Sequence, residues 1–198
     1  MRQTPVALPL EPEYRPKAII IMSGKHQKIP VGISSCLLGE HVRYDGGHTY
    51  DSLINTRLAD IFEFRPRCPE VAIGLGVPRP AIKLFSHADS TRAILSEHPM
   101  EDVSLNLRKY AQQIKEEHPE LCGYIFKSGS PSCGLRDVQT FDCNENPINT
   151  GKGIFADKLC AEIKGLPTID EKQLEIPEQR EEFFKSVATF RSSNTVKL

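Results

Sequence analysis

The chain has 198 residues, 39% of them hydrophobic and 26% charged, which indicates one soluble globular domain. Its formal net charge of −1 argues against a large nucleic acid as partner and favours a small molecule. No apolar stretch is long enough to span a bilayer, so no membrane association is expected. The first residues lack the order of a secretory signal, and we expect a cytoplasmic protein whose six cysteines serve metal binding or catalysis rather than disulfides.

The predicted elements divide the chain into an extension and one domain. Residues 1–28 hold four prolines without sustained periodicity and are expected to form a loosely held extension. Within the domain, 29–198, buried strands are predicted at 29–35, 62–67, 121–128 and 166–171. A hairpin is predicted between 82–85 and 92–95, and helices at 51–62, 101–118, 153–165 and 177–191.

This order of elements predicts the fold class. Strands that alternate with helices of this length are typical of α/β proteins, in which a mainly parallel sheet is flanked by helices on both faces. We therefore expect a single Rossmann-like domain. The sequence carries no signal that sets an oligomeric state.

Three cysteines follow the ends of three predicted strands. Cys36 follows the first strand in "SSCLLGE", Cys68 follows the second in "RCPEV", and Cys133 lies a few residues past the third in "KSGSPSCGL". In an open parallel sheet, sites form outside the carboxyl ends of the strands. The three thiols are therefore predicted to meet at one edge of one sheet. Cys122 and Cys160 are expected to be buried packing residues.

Three thiolates at one site leave several interpretations open. Zinc bound by the three cysteines and His48 is one, although the short paired spacing of structural zinc sites is missing. An iron–sulfur cluster suits soft thiolates equally well, and with three protein ligands one iron of a four-iron cluster stays open. The third interpretation is that the thiols bind no metal.

Two features are candidates for phosphate binding. The segment "TGKG" at 150–153 opens a helix and is a weak candidate, and Arg79 is assigned either to a phosphate or to the sheet edge.

At these cysteines the sequence resembles a known family. The segments "VGISSCLLGEHVRYDGGH", "CPEVAIGLGVPRPAI" and "KSGSPSCG" closely resemble the signatures of the thiouracil desulfurase (desulfidase) family, and the resemblance extends from about Ile29 to about Leu174. The first two segments look most like members that act on 4-thiouracil or thiouridine compounds. The resemblance implies an α/β domain that holds a [4Fe-4S] cluster on Cys36, Cys68 and Cys133, with Glu70 as the catalytic carboxylate and Ser130 as the active-site serine.

Several side chains around these motifs are candidates for catalysis or substrate binding. Glu70 is expected to act as general base toward water or as a proton relay, and the alternative is that it only caps a helix. Lys127 is expected either to offset negative charge at the site or simply to be solvated, and Ser132, next to Cys133, is a candidate substrate contact. Asp45 and Gly46, in the turn "RYDGGH", are predicted either to let the backbone approach a ligand or to form a tight loop only.

The resulting hypothesis is a desulfidase that removes sulfur from a thiolated uracil base, nucleoside or nucleotide without net redox change. Two alternatives remain at this point. One is an iron–sulfur protein that transfers sulfur to a nucleotide, and the other is a non-catalytic binding module stabilised by zinc or an iron–sulfur cluster.

Overall fold

The computed structural model describes residues 28–87 and 90–195. Within them nine strands form two sheets. The strands of the first sheet are β1 (Ile29–Ser34), β2 (Phe62–Arg67), β6 (Tyr124–Phe126) and β9 (Thr168–Asp170). Those of the second are β3 (Ile82–His87), β4 (Ser90–Leu95), β5 (His98–Asp102), β7 (Val138–Phe141) and β8 (Pro147–Gly151).

The helices are α1 (Pro69–Ala72), α2 (Ser104–Glu117), α3 (Ile154–Glu162), α4 (Glu171–Leu174) and α5 (Pro177–Thr195). A 3-10 turn, Ser35–Leu38, follows β1, and a π-helical segment, Ile54–Leu58, occupies the predicted helix at 51–62. Asp51 caps that helix, because its Oδ1 accepts a hydrogen bond of 3.0 Å from the Ile54 N–H. No helix in the described ranges is long and apolar enough to cross a membrane.

The first sheet is wholly parallel, in the order β2-β1-β6-β9. The central strand β1 aligns Ser34 with Arg67 of β2, and Ile33 with Ile125 of β6. The carboxyl ends of three neighbouring strands therefore lie side by side. This register brings together the three loops that carry Cys36, Cys68 and Cys133.

Helices cover both faces of this sheet, as predicted. On β6, Tyr124 and Phe126 point to one face and Ile125 to the other, because side chains alternate along a strand. Ile125 packs in a cluster with Phe183 and Phe184 of α5. Tyr124 and Phe126 belong to a second cluster, which includes residues of α2 and α3. The predicted Rossmann-like α/β class is confirmed.

Gly32 allows the central strands to pack closely. A Cβ atom at this position would lie 2.3 Å from Cδ2 of Tyr124, well inside contact distance. Glycine at 32 therefore lets the Tyr124 ring lie flat over β1, where it stacks on Phe126 with ring centroids 4.2 Å apart.

The second sheet is mixed, in the order β5-β4-β3-β7-β8, and only its first hairpin was predicted. The antiparallel pair β3–β4 confirms that hairpin. Strands β5, β7 and β8 were not predicted, because they are short and β8 is exposed along most of its length, which leaves no apolar alternation to detect. The sheet packs Leu84 and Val138 against Leu107 of α2 and Ile154 of α3, the two helices that also cover one face of the first sheet.

The predicted N-terminal extension lies almost wholly outside the described residues, which begin at Lys28. Its boundary at residue 28 therefore stays a prediction. The predicted helix at 177–191 is present as α5. Cys122 is buried in the core, as predicted, and its Sγ lies 3.3 Å from the Glu120 carbonyl oxygen.

Candidate metal centre and active site

A cavity of about 240 Å³ opens at the carboxyl ends of β1, β2 and β6. Its wall includes the three cysteines predicted to meet there, Cys36, Cys68 and Cys133. It also includes the predicted Glu70, Lys127 and Ser130. Residues far apart in the chain thus form one concave site, because their strands are neighbours in the sheet.

Each cysteine follows the end of a strand and lies in a turn, at the start of a helix or in a loop. Cys36 lies in the 3-10 turn after β1, and that turn ends at Gly39, whose φ of +91° is accessible to glycine. Cys68 immediately precedes α1, where Pro69 occupies the first helical position. Cys133 lies in the loop after β6 and is 5% exposed. All three are free thiols.

Burial raises the pKa of all three thiols, and the pKa of Cys133 lies well above its ordinary value. Charge on Cys68, Glu70 and Cys36 raises the pKa of Cys133 further. Thiols that are buried or half-buried near one another resist ionisation unless a cation compensates them. A bound metal centre supplies that compensation, since thiolate is the ligand form.

The donor set suits a cluster better than a single ion. Among the residues that the structure describes, no three His, Cys, Asp or Glu side chains lie close enough together to hold a single metal ion. His48 is instead engaged locally, because its Nδ1 accepts a hydrogen bond of 3.1 Å from the Tyr50 N–H. In the described part of the chain no His, Cys, Asp or Glu side chain completes a single-ion site with the three thiols. Three thiolates without a fourth protein ligand would suit a [4Fe-4S] cluster better than zinc.

Two buried hydroxyls support the same conclusion. Thr49 Oγ1 and Tyr124 Oη are buried and form no hydrogen bond in the described part of the chain. A buried hydroxyl without a partner costs about 1–3 kcal/mol. Thr49 is joined to Cys36 through its backbone N–H, which donates a 2.9 Å hydrogen bond to the Cys36 carbonyl. Tyr124 packs in one cluster with Cys133. Sulfur atoms of a metal centre are suitable acceptors for both hydroxyls.

Both carboxylate oxygens of Glu70 accept hydrogen bonds. Arg79 Nε donates to Glu70 Oε2 at 2.8 Å, and Ser132 Oγ donates to Oε1 at 2.8 Å. Glu70 lies in the first turn of α1, two residues after Cys68, but that helix has no side-chain capping hydrogen bond. The Glu70 side chain is 12% exposed and lines the cavity, which suits a catalytic carboxylate.

Arg79 connects the parts of the site. Its Nη2 donates to the Val42 carbonyl at 2.8 Å and lies 3.8 Å from Cys68 Sγ, while Nη1 donates to the Gly76 carbonyl. Its side chain is 2% exposed. Neither sequence interpretation anticipated these contacts, in which Arg79 pairs with a carboxylate of the protein at the cavity.

Ser130 closes the loop that carries Cys133. Its Oγ accepts hydrogen bonds from the Ser132 N–H at 3.2 Å and from the Cys133 N–H at 3.0 Å. Because this oxygen already accepts twice, its own hydrogen is available to donate. The structure thus places Ser130 at the cavity wall, whereas Ser132 is fully buried behind it and contacts Glu70.

Lys127 forms a network with Glu171, a residue that the sequence did not indicate. Lys127 Nζ donates to Glu171 Oε1 at 2.7 Å, and Ser128 donates to the same carboxylate through both its N–H and its hydroxyl. Burial alone raises the pKa of Glu171, but these hydrogen bonds outweigh it and lower the pKa below its ordinary value. The network fixes the start of the "KSGSPSCG" loop to α4.

Asp45 and Gly46 are not brought to the cavity wall, which at this turn is formed by Arg43 and Tyr44. The Asp45 carboxylate accepts from the Gly47 N–H at 3.0 Å and pairs with Arg43, so it closes its own turn. Gly46 adopts a φ of +77°, as expected for a tight turn.

The start of α3 is not a phosphate site. The N–H groups of residues 153–156 donate to carbonyls of the cysteine loop, 131–134, at 2.7–3.1 Å. Gly153 is required for this contact, because a Cβ there would lie 2.5 Å from the Ser132 carbonyl carbon. The phosphate interpretation of "TGKG" was wrong, and the segment anchors the loop of Cys133 instead.

Comparison with known proteins agrees with this site. The profile of the 2-thiouracil desulfurase family matches residues 31–171. This chain belongs to that family. None of the curated proteins compared with the chain matches it. Among solved structures, the [4Fe-4S]-dependent thiouracil desulfidase TudS is similar, with a TM-score of 0.60 and 25% identity over 79% of this chain and 99% of that one.

The family match spans the whole site. It contains the three cysteines, Glu70 and Ser130, and it ends at Glu171, the partner of Lys127. The family suggested by the sequence resemblance is therefore confirmed, and so is the fold that it implied.

Proposed function

We propose that this protein is a desulfidase that removes sulfur from a thiolated uracil base, nucleoside or nucleotide. The observation that carries the proposal is the meeting of Cys36, Cys68 and Cys133 on one cavity wall, with the Glu70 carboxylate fixed beside them. Membership of the 2-thiouracil desulfurase family and similarity to TudS support it. The reaction adds water across the C=S carbon and releases sulfide, so that C=S and H₂O become C=O and H₂S without net oxidation or reduction.

The three cysteines are proposed to hold a [4Fe-4S] cluster. When bound, such a cluster supplies a Lewis-acidic iron without a protein ligand, which suits a soft thiocarbonyl sulfur. A cytoplasmic location is part of the proposal, because free thiols persist in a reducing compartment.

Glu70 is proposed to take the proton of the attacking water. Its two hydrogen bonds, from Arg79 and Ser132, fix the direction of the carboxylate toward the cavity. An ionised carboxylate has about four lone-pair sites, so each oxygen keeps one for water or for a ring N–H after these bonds are made. Glu70 is thereby oriented without being blocked, which general-base catalysis requires.

The remaining polar residues are proposed to bind and position the substrate. Ser130 donates its hydroxyl hydrogen to a ring oxygen or to the water, and Lys127 offsets the negative charge of the thiolates and of the leaving sulfide. For Ser132, the contact with Glu70 favours a positioning role. A substrate contact at Asp45 and Gly46 stays a prediction, because their turn borders the cavity through Tyr44.

The test is turnover by protein reconstituted without oxygen. The 2-thio and 4-thio forms of uracil, uridine and the nucleotide are supplied separately, and loss of thiopyrimidine absorbance is compared with sulfide release. We expect one sulfide per substrate lost, and no turnover by Cys68→Ala. Retained turnover in that variant contradicts the proposal. Formation of thiolated product from uridine and sulfide supports sulfur transfer instead, and a stable cluster with no reaction in either direction supports a binding module.

A further inference from the structure

Among the described residues, two buried hydroxyls beside the cysteine site have no hydrogen-bond partner. These are Thr49 Oγ1 and Tyr124 Oη. Neither residue lines the cavity, so a bound substrate does not explain them. Buried hydroxyls are normally paired, which makes two unpaired ones behind the same three cysteines informative.

Thr49 is fixed against Cys36. Its backbone N–H donates to the Cys36 carbonyl at 2.9 Å, which ties residue 49 to the turn that carries the thiol. The buried Thr49 hydroxyl is therefore held at the turn of Cys36, where it can serve as a hydrogen-bond donor to a cysteine thiolate.

Tyr124 packs in the same buried cluster as Cys133. Its ring is fully buried between Phe126 and Phe155, so the hydroxyl cannot turn to solvent. A buried tyrosine hydroxyl in the same cluster as Cys133 is available as a hydrogen-bond donor there.

We propose that Thr49 and Tyr124 donate hydrogen bonds to the sulfur atoms of the metal centre, and that these bonds raise its reduction potential and slow its loss of iron. The inference rests on the proposed cluster at Cys36, Cys68 and Cys133. Donors to cluster sulfurs withdraw negative charge, which favours the reduced state, and partners behind the ligands also fix ligand orientation. The same withdrawal keeps the open iron electron-poor.

The test uses full-length protein reconstituted without oxygen. Thr49→Val and Tyr124→Phe remove the hydroxyls while keeping nearly the same shape. The midpoint potential of the cluster and the rate of iron release to a chelator are measured. We expect a lower potential and faster release in each variant, with a larger shift in the double variant.

Two controls separate hydrogen bonding from packing. Thr140→Val removes a buried hydroxyl in β7 that already bonds to the Asn149 carbonyl at 2.9 Å, and it should leave the potential unchanged. Thr49→Ser keeps the hydroxyl and should restore the wild-type potential. If a variant binds no cluster, recovery of binding in Thr49→Ser but not in a Thr49→Ala variant supports the donor role.

Unchanged potentials in both Thr49→Val and Tyr124→Phe overturn the inference, even if the wild-type protein turns over thiouracil. A cluster whose potential shifts as expected in a protein without turnover supports the inference and contradicts the proposed function. Absence of any cluster in the wild-type protein overturns both.

Discussion

Arg79 and Glu70 form a buried ion pair, with Nε and Oε2 2.8 Å apart and side chains 2% and 12% exposed. Removing one member of such a pair leaves a charge without compensation. The pair lies between Cys68 and the turn at Val42, so its loss affects both the stability of the fold and the geometry of the site.

The first prediction concerns this pair. We expect Arg79→Met to lower the free energy of unfolding by about 3–5 kcal/mol, because the Glu70 carboxylate is left unpaired. Denaturant unfolding measures the change. Arg65→Met is the matched control, since Arg65 pairs with Glu63 at the surface, with side chains 31% and 48% exposed, and should cost no more than about 1 kcal/mol. Equal losses in the two variants contradict the prediction.

Arg79→Lys tests the role of the guanidinium fork. Lysine keeps the charge but cannot contact Glu70, Gly76 and Val42 at once. We expect partial recovery of stability relative to Arg79→Met but a kcat reduced by roughly 100-fold, since Glu70 loses its fixed direction. A kcat equal to that of the wild type shows that Glu70 needs no such support.

The second prediction concerns Glu171 and acid. Its pKa is lowered in the folded protein, so the stability that it contributes is complete above its unfolded pKa and is lost as the pH falls through the folded value. We expect Glu171→Gln to cost about 1–3 kcal/mol at neutral pH and the difference from wild type to shrink below the ordinary pKa of 4.5. Unfolding measured from pH 7 to pH 3 gives this difference. A difference in stability between wild type and Glu171→Gln that grows as the pH falls contradicts the proposed role of the ionised Glu171 carboxylate.

The sequence predicted those parts of the site that depend on strand order alone. Cys36, Cys68 and Cys133 follow strand ends, and parallel pairing of β1 with β2 and β6 is enough to bring them together. Arg79 and Glu171 could not be placed in this way. Each reaches the site through a loop or a later strand, and the position of a charged side chain there depends on tertiary packing.

Asp45 illustrates a second reason why parts of the site could not be predicted from the sequence. Its glycine-rich turn was correctly predicted, but the sequence does not specify whether a turn carboxylate faces a ligand or its own backbone. The hydrogen bond from the Gly47 N–H selects the second arrangement. Strands β5, β7 and β8 of the second sheet were missed for a similar reason, because their pairing partners, rather than their composition, make them strands.

The third prediction separates the ligands from the other cysteines. Alanine at 36, 68 or 133 is expected to abolish the visible absorbance of the reconstituted cluster, since three thiolates are the whole proposed ligand set. Cys143→Ser and Cys160→Ala should retain about four irons per chain, because Cys143 is exposed and Cys160 lies on α3. Iron and sulfide content measure the outcome, and loss of iron in Cys160→Ala contradicts this assignment.

The fourth prediction concerns the contact between α3 and the loop of Cys133. Gly153→Ala places a Cβ 2.5 Å from the Ser132 carbonyl carbon and 2.8 Å from the Cys133 nitrogen. Both are backbone atoms, so the helix or the loop has to move, and Cys133 moves with the loop. We expect the variant to fold with reduced stability and to release iron to a chelator faster than the wild type. Gly151→Ala is the matched control, because a Cβ two residues earlier meets no atom within 4 Å. Equal iron release in the two alanine variants shows that the helix does not hold the cysteine in place.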